Sequence, residues 1–593
     1  MNDLTIAVFA PLIMALLCFV FKRAAKWLAL LVSLGIFTLA IKIFLAGQLV
    51  SQFLSLRAYP FSAGIFLAAA FFTLLITLYS FKYMEGKERL GEYYAYILIT
   101  LGSAAGALFA ADFLNLLFFW GMMGIPLYML IGIGSSAGAG AAKKTLILVG
   151  GADAMMIMGI GIVWVMTRSL QIGPSPLPLN NVYSIVAFLA LAAGAFAKAG
   201  VMPFHSWIPD SAEFAPASVM ALLPASLDKL LGIYLFSRIC FDVFQIVPNS
   251  PVSLFLLACG SITIIAAVMG ALVQHDLKKL LSFHAVSQVG YMVLGIGTGT
   301  PLGVAGGIFH MFNHAIYKSC LFLCGGAVEQ KAGTTDLEKL GGLAKFMPIT
   351  FTAFLIAALS ISGVPPFNGF ISKWMIYQAI VQLGKISPYW IIWLVAAMFG
   401  SAFTLASFVK LTHAVFLGQW SETTGKTREV SWMMWLPLAV LAALCVVFGL
   451  LAAQIPLKYL VFPNIQFYRF TGVWEPGMAT LLLLSGLLLG LLIYALGRVK
   501  KVTVKPAFTG GELLKEEEIK VTGNEFYDSI KSWGPLNLIY KTAEKKYFDV
   551  YELGRQAAFA VAGWLSWLHN GLLQTYLVWL LMGLVVLLLF LAR

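Results

Sequence analysis

Apolar runs of about twenty residues recur from one end of this chain to the other, from Leu4–Phe21 and Leu28–Leu45 to Leu572–Leu591. No other feature limits its fold as strongly. A helix rises about 1.5 Å per residue, so twenty residues match a hydrocarbon layer about 30 Å thick. Inside that layer no water pairs the backbone, and a spanning segment must close its hydrogen bonds within a helix or a barrel. The runs are continuous rather than alternating, which excludes a β-barrel. Only 11% of the 593 residues are charged, against roughly a quarter in soluble domains. The chain therefore reads as an all-α polytopic membrane protein.

Hydropathy and length give sixteen spans, near 4–21, 28–45, 60–81, 94–111, 113–133, 145–166, 182–201, 216–239, 251–273, 279–297, 303–325, 349–380, 388–417, 431–453, 477–497 and 572–592. The first reads as a span and not as a cleavable signal, because it is long enough to cross and a second follows directly. Loops after odd-numbered spans carry nineteen lysines and arginines, and loops after even-numbered spans carry six. This positive-inside bias predicts that both termini face outward. The net charge of +13 lies in these short loops, so it does not argue for nucleic acid. Six cysteines are scattered through apolar segments. Cys320 and Cys324, one helical turn apart, have no second pair nearby and match no metal or iron–sulfur spacing.

Two stretches break the apolar pattern in nearly the same way: "GVMPFHSW" from Gly200 and "GVPPFNGF" from Gly363. In sequence Lys198 lies just before the first and Lys373 just after the second. A broken helix is tolerated in a membrane only where protein or a polar cavity surrounds it. The breaks fall in the fourth span of two successive five-span groups, and an odd number of spans inverts the second group relative to the first. Matched interruptions of this kind point to an inverted repeat around an ion path. The expected organisation is three spans over 1–93, a first repeat over 94–240 and an inverted second repeat over 251–417. Two further spans occupy 431–497, a cytoplasmic polar segment with an amphipathic helix occupies 498–570, and an anchoring span occupies 571–593.

Ionisable residues inside the spans fit that reading. Lys198 lies near the end of span 7, and Asp228 with Lys229 lies in "ALLPASLDKLLGIYLF". His310, His314 and Lys318 lie in "GGIFHMFNHAIYKSCLF", and Lys373 in "GFISKWMIY". The spacing i, i+4, i+8 puts His310, His314 and Lys318 on one helical face, where a proton can pass in short steps. A charge at mid-membrane costs several kcal/mol, so such groups face partners or a wet path. Each has a plainer reading. A single buried histidine is more often a packed, hydrogen-bonded group, and a His-x-x-x-His pair without the metalloprotease glutamate is a weak zinc signal. Several basic clusters in different spans are harder to explain as packing. Toward the end of the chain, Leu536, Ile539, Tyr540, Ala543, Tyr547, Val550 and Tyr551 recur at helical spacing. They predict an amphipathic helix lying along a membrane or a neighbouring subunit.

At these residues the chain resembles the antiporter-like subunits of respiratory complex I, Mrp-type sodium/proton antiporters and membrane-bound energy-converting hydrogenases. The resemblance is carried by "KAGVMPFHSWIPDSAEFAPASVMALL", "HDLKKLLSFHAVSQVGYMVLGIG", "FHMFNHAIYKSCLFL" and "GVPPFNGFISKW", and covers roughly residues 60–420. The tail ending "NGLLQTYLVWLL" is similar to the lateral helix and anchoring span of the largest such subunit. The resemblance implies that Lys198 is the central lysine of span 7, Lys229 with His310, His314 and Lys318 the relay, and Lys373 the exit lysine. His284 and Lys410 join the candidate pathway. In the family, span 5 reads Phe-Trp-Glu, whereas this chain has "LLFFWGMM" with Gly121 at the glutamate position. Asp228 and Asp153 are the candidate substitutes. The glycine and "LDKLLGIYLF" place the chain nearer the hydrogenase or formate-hydrogenlyase branch.

The expected function is that of an ion-translocating subunit of a redox-driven membrane complex, moving protons or exchanging them for sodium. The alternatives are a Mrp-type secondary antiporter subunit and a structural subunit with impaired pumping. The chain carries no cofactor motif of its own. By the resemblance, iron–sulfur clusters and a nickel–iron centre would sit in peripheral redox partners, with other membrane subunits alongside, in a prokaryotic inner membrane.

Overall fold

The computed structural model describes residues 2–134, 136–173, 176–419, 427–464, 476–497 and 526–592. The charged stretch "GGELLKEEEIK" and the loop lysine Lys426 lie outside the described residues. What is described is nearly all helix. In chain order the helices are α1 Asp3–Val20, α2 Ala25–Ala46, α3 Pro60–Tyr83, α4 Leu90–Phe109, α5 Phe113–Gly132, α6 Ala139–Thr167 and α7 Val182–Ala199. They continue with α8 Trp207–Phe214, α9 Ala217–Val243, α10 Pro251–Leu272, α11 Leu277–Gly297, α12 Pro301–Ala332, α13 Pro348–Ser362 and α14 Asn368–Leu383. The last are α15 Trp390–Leu417, α16 Trp432–Leu450, α17 Pro476–Leu496, α18 Asp528–Ser532, α19 Gly534–Glu544, α20 Val550–Leu568 and α21 Leu573–Leu591. Twelve of the described helices are long and apolar enough to cross a membrane by length and composition. Each of the sixteen hydropathy segments falls on one helix or on a broken pair.

Local chemistry sets the boundaries. Asn181 caps α7 by accepting from Ser184 N at 2.8 Å, and Ser184 Oγ lies 3.4 Å from Asn181 N in return. Pro251 and Pro301 open α10 and α12 behind Ser250 and Thr300 caps, where a missing N–H costs nothing. Among the candidate spans α9 and α11 are the most enclosed, with 100% and 94% of their apolar windows buried, and α12 is buried throughout Leu302–Val328. In α9, wide π-type turns at Leu223–Leu227 and Ile239–Val243 interrupt the α-helical repeat.

Loops that the alternation of spans groups together meet at two ends. At one end Asn2 donates to Val50 O at 2.9 Å, Arg57 to Ile172 O at 3.4 Å and Arg238 to Ala110 O at 3.0 Å. Strands β1 Leu49–Ser51 and β2 Leu56–Ala58 pair antiparallel there, and β3 Leu177–Pro178 pairs parallel with β4 Phe244–Gln245. At the other end Lys144 pairs with Asp210 and Lys278 with Glu329, both at 2.8 Å, and Gln330 donates to Lys82 O at 3.0 Å. Counted in sequence as loop charges, Lys144 and Lys278 are in fact buried at helix ends.

By contacts the chain divides into two units, Met1–Ile530 and Lys531–Arg593. In the second, the single amphipathic helix expected through Tyr551 is two helices, α19 and α20. The chain turns between them at Lys546 (φ 60), and the Asp549 side chain caps the new helix by accepting from Tyr551 N at 3.0 Å. A side-chain cap of this kind competes with continuing the helix. Most residues of α21 are apolar, and none is buried.

Candidate functional site

The two breaks are built alike. α7 ends at Gly200 (φ 78, ψ 38) and α13 at Gly363 (φ 79, ψ 35), a left-handed conformation that glycine adopts without a Cβ penalty. The next residue donates back into the last turn, Val201 to Phe196 O at 2.9 Å and Val364 to Leu359 O at 3.0 Å. A cis proline follows in each, Pro203 and Pro366, and helix resumes at Trp207 and Asn368.

The last carbonyls of a helix together carry about half a negative charge, and an ammonium lies close to each break. Lys373 donates to Ile361 O at 2.8 Å. At the first break the ammonium belongs to Lys229, since a Cβ on Gly200 would stand 3.1 Å from Lys229 Nζ. Lys198, the lysine beside the break in sequence, points elsewhere. Its Nζ lies 3.4 Å from Trp120 O and 4.6 Å from the centre of the Trp120 ring. Two carboxylates act on it, Asp228 more strongly and then Asp153. Asp153 also accepts from the Trp120 indole N–H at 2.9 Å. The indole thus lies against Lys198 and is held by Asp153, a tryptophan role that sequence reading missed. Gly121 is exposed, and a Cβ there would meet nothing within 4 Å. Acids that reach Lys198 come from α6 and α9, while position 121 opens outward.

α12 joins the two halves. Lys318 and His314 lie within electrostatic reach of Lys229 on α9, and His314 of His310. His310 Nδ1 lies 2.8 Å from Ser372 Oγ and its Nε2 3.2 Å from Gln288 Oε1. The charge of Lys373 reaches both His310 and His284. His284 Nε2 bonds Ser407 Oγ at 2.8 Å, and its ring and Lys318 share Phe408 as a neighbour. Lys373 Nζ lies 4.7 Å from the centre of the Tyr291 ring, and Tyr291 shares Ser401 with Tyr377. Lys410 donates to Leu272 O and Gln274 O at 2.8 and 2.9 Å, capping the end of α10.

Lys198, Lys229, His284, His310, His314, Lys318 and Lys410 are 0% exposed, and Asp228 and Lys373 are 2% exposed. Among the described residues, Lys229 Nζ, Lys318 Nζ, Asp228 Oδ2 and His284 Nδ1 have no hydrogen-bond partner in the protein. A buried polar atom left unpaired costs about 1–3 kcal/mol, and an unpaired charge costs more. A row of such groups disfavours folding, so its presence points to use and not to packing. Among the described residues no group of three or more His, Cys, Asp or Glu is placed to hold a metal ion.

Residues 110–404 match the family described as NADH:quinone oxidoreductase/Mrp antiporter, TM. The Na(+)/H(+) antiporter subunit A1 of Staphylococcus aureus (strain MRSA252) is 31% identical over 583 residues, which takes in 89% of this chain and 70% of the relative. A chain in the structure of the membrane-bound sulfane sulfur reductase, an archaeal respiratory membrane complex, superposes with a TM-score of 0.83 at 24% identity. It covers 99% of this chain and 100% of that one. A chain of the Mrp complex from Dietzia sp. DQ12-45-1b superposes with a TM-score of 0.70 at 24% identity, over 78% of this chain and 96% of that one.

Proposed function

Because the chain belongs to the NADH:quinone oxidoreductase/Mrp antiporter family, it is an antiporter-like membrane subunit, and we propose that it moves protons along its buried ionisable line. The steps run from Asp153 and Lys198 to Asp228 and Lys229, across Lys318 and His314 to His310 and His284, then to Lys373, with Lys410 as a terminal group. What carries the reading is the continuity of this line from Asp153 as far as Lys373, in which each group lies within electrostatic reach of another. Two unit charges about 8 Å apart at an effective dielectric of about 20 interact by about 2 kcal/mol. That is roughly a thirtyfold bias on a neighbour's protonation. Protonating one station therefore shifts the next, and a drive applied at one end propagates. The lysine-rich end of the bundle would face the cytoplasm, the two proline-broken groups would form an inverted pair, and both termini would lie outside.

The drive in this reading comes from partner subunits that carry the redox centres, iron–sulfur clusters and a nickel–iron centre among them, in a prokaryotic inner membrane. A second reading is gradient-driven sodium/proton exchange, favoured by the 31% identity to subunits named as antiporter components. The placement near the hydrogenases is narrower than the names of these relatives. The test is coupled ion transport in everted membrane vesicles containing the native complex. Lys198→Ala and Lys373→Ala should each abolish it while the complex assembles, and undiminished transport in either overturns the line. Iron–sulfur proteins co-purifying with the complex support the redox drive, and transport that follows only an imposed sodium gradient supports exchange.

A further inference from the structure

A second polar cluster lies at the lysine-rich end of the bundle, outside the line just described. Glu329 near the end of α12 pairs with Lys278 of α11 at 2.8 Å, their side chains 30% and 5% exposed. Tyr83, at the end of α3, donates its hydroxyl to Glu329 at 2.7 Å and accepts from Ala217 N at 3.1 Å. Lys278 also donates to Ala215 O at 3.4 Å. Tyr79 and Tyr83 lie within electrostatic reach of each other, of Glu329 and of Tyr93. Tyr93 donates to Ser218 Oγ at 2.8 Å and lies 2.7 Å from Ser80 Oγ. Tyr79 donates to Leu323 O at 2.8 Å. Of these groups, only the Glu329 side chain is substantially open to solvent.

The register of two helices connects this cluster to the line. On α12, Lys318 and Glu329 are eleven residues apart, close to three full turns, so they share a face about 16 Å apart along the axis. On α9, Ser218 and Lys229 have the same separation. The two helices pack together and run in opposite directions. A Cβ on Gly326 would lie 2.7 Å from Ala217 Cβ and from Tyr79 Oη, which shows how closely their ends approach. Between the two levels, the wide turn at Leu223–Leu227 leaves carbonyls that accept from side chains. Ser319 donates to Ala221 O at 3.1 Å, and Ser226 donates to Ala221 O at 2.9 Å and to Leu222 O at 2.7 Å. Ser319 adjoins Lys318 and Ser226 lies one turn before Lys229, and all these hydroxyls are buried.

We propose that Glu329 is the proton mouth of this subunit, feeding Lys229 and Lys318 through the hydroxyls of Tyr83, Tyr93, Ser218, Ser319 and Ser226 in the seam between α9 and α12. A solvent-reached carboxylate takes up the proton, and Lys278 and Tyr83 orient it toward the seam. A hydroxyl can both donate and accept, so a proton passes by exchange from one to the next with no net chemistry, Ser319 and Ser226 turning from the Ala221 and Leu222 carbonyls to do so. This rests on the reading of the buried line as a proton path.

The test uses everted vesicles with the full-length chain in its native complex, measuring transport in H2O and D2O. Glu329→Gln and Tyr83→Phe should each slow transport about tenfold and raise the H2O/D2O rate ratio, because proton entry becomes limiting. Glu329→Asp keeps a proton carrier and should recover at least half the rate. Wild-type rate and isotope ratio in assembled Glu329→Gln and Tyr83→Phe complexes overturn the mouth. A slowed rate with an unchanged isotope ratio assigns the cluster to clamping helices and overturns it as well. If Lys229→Ala and Lys373→Ala also transport normally, the buried line itself fails. If those two are dead while Glu329→Gln is normal, only the mouth fails.

Discussion

The first and second breaks share a backbone device and differ in counter-charge. At each, a glycine in left-handed conformation ends a helix inside the bundle and an ammonium lies beside it, Lys373 donating to Ile361 O and Lys229 standing near Gly200 without a hydrogen-bond partner among the described residues. Around Lys229 and Lys198 the protein adds two carboxylates, Asp228 and Asp153. Around Lys373 the described partners are neutral: Ile361 O, the Tyr291 ring and the Ser372–His310 pair. A helix end offers about half a charge, whereas a carboxylate offers a full one and strongly favours the charged ammonium. The two breaks thus surround their lysines with unequal charge.

The most severe way to break this comparison is Lys373→Ala set against Lys198→Ala. Both should reduce coupled transport in vesicles by at least about a hundredfold, and a surviving half would show that the two halves do not work in series. Next, Asp228→Asn removes the stronger acid acting on Lys198 and leaves Asp153. Transport should fall roughly tenfold, while Asp153→Asn falls less, following the order in which the two act. Stability sharpens the comparison further. Gly200→Ala and Gly363→Ala each force an L-residue into left-handed backbone at about 1–2 kcal/mol. The first also drives a methyl into Ile208 Cδ1, while the second only crowds the flexible Lys373 chain at 3.1 Å. Thermal unfolding of the purified complex should therefore show the larger loss for Gly200→Ala. Smallest of all, Gly121→Glu should change transport less than twofold, because that position opens outward and Lys198 already has its acids. A large gain would mean that the first half is short of a carboxylate.

Much of this was legible in the sequence because it depends on local rules. Apolar runs give the spans, Gly-Pro pairs give the breaks, and the i, i+4, i+8 spacing sets His310, His314 and Lys318 on one face of α12. Reading failed where the partner comes from another helix. Lys198 looks like the lysine of the first break because it is two residues from Gly200, yet it is Lys229, reached through the packing of α7 against α9, that stands there. At Gly121 the sequence offered Asp228 and Asp153 as substitutes without showing that they reach Lys198; what it missed is the Trp120 indole that Asp153 holds against the lysine. Glu329 and Lys278 belong to different spans and carry no shared motif. The break between α19 and α20 was hidden because the apolar repeat carries on through Lys546, where the backbone turns.

What the chain alone settled is the apolar, helical character of its membrane segments and the places of the two proline breaks, since hydrogen bonding in hydrocarbon leaves a segment few alternatives. The tertiary structure decided which buried charge faces which helix end and which acids serve which lysine. Those pairings depend on rotation and depth between helices far apart in sequence, and a linear order of residues does not encode them.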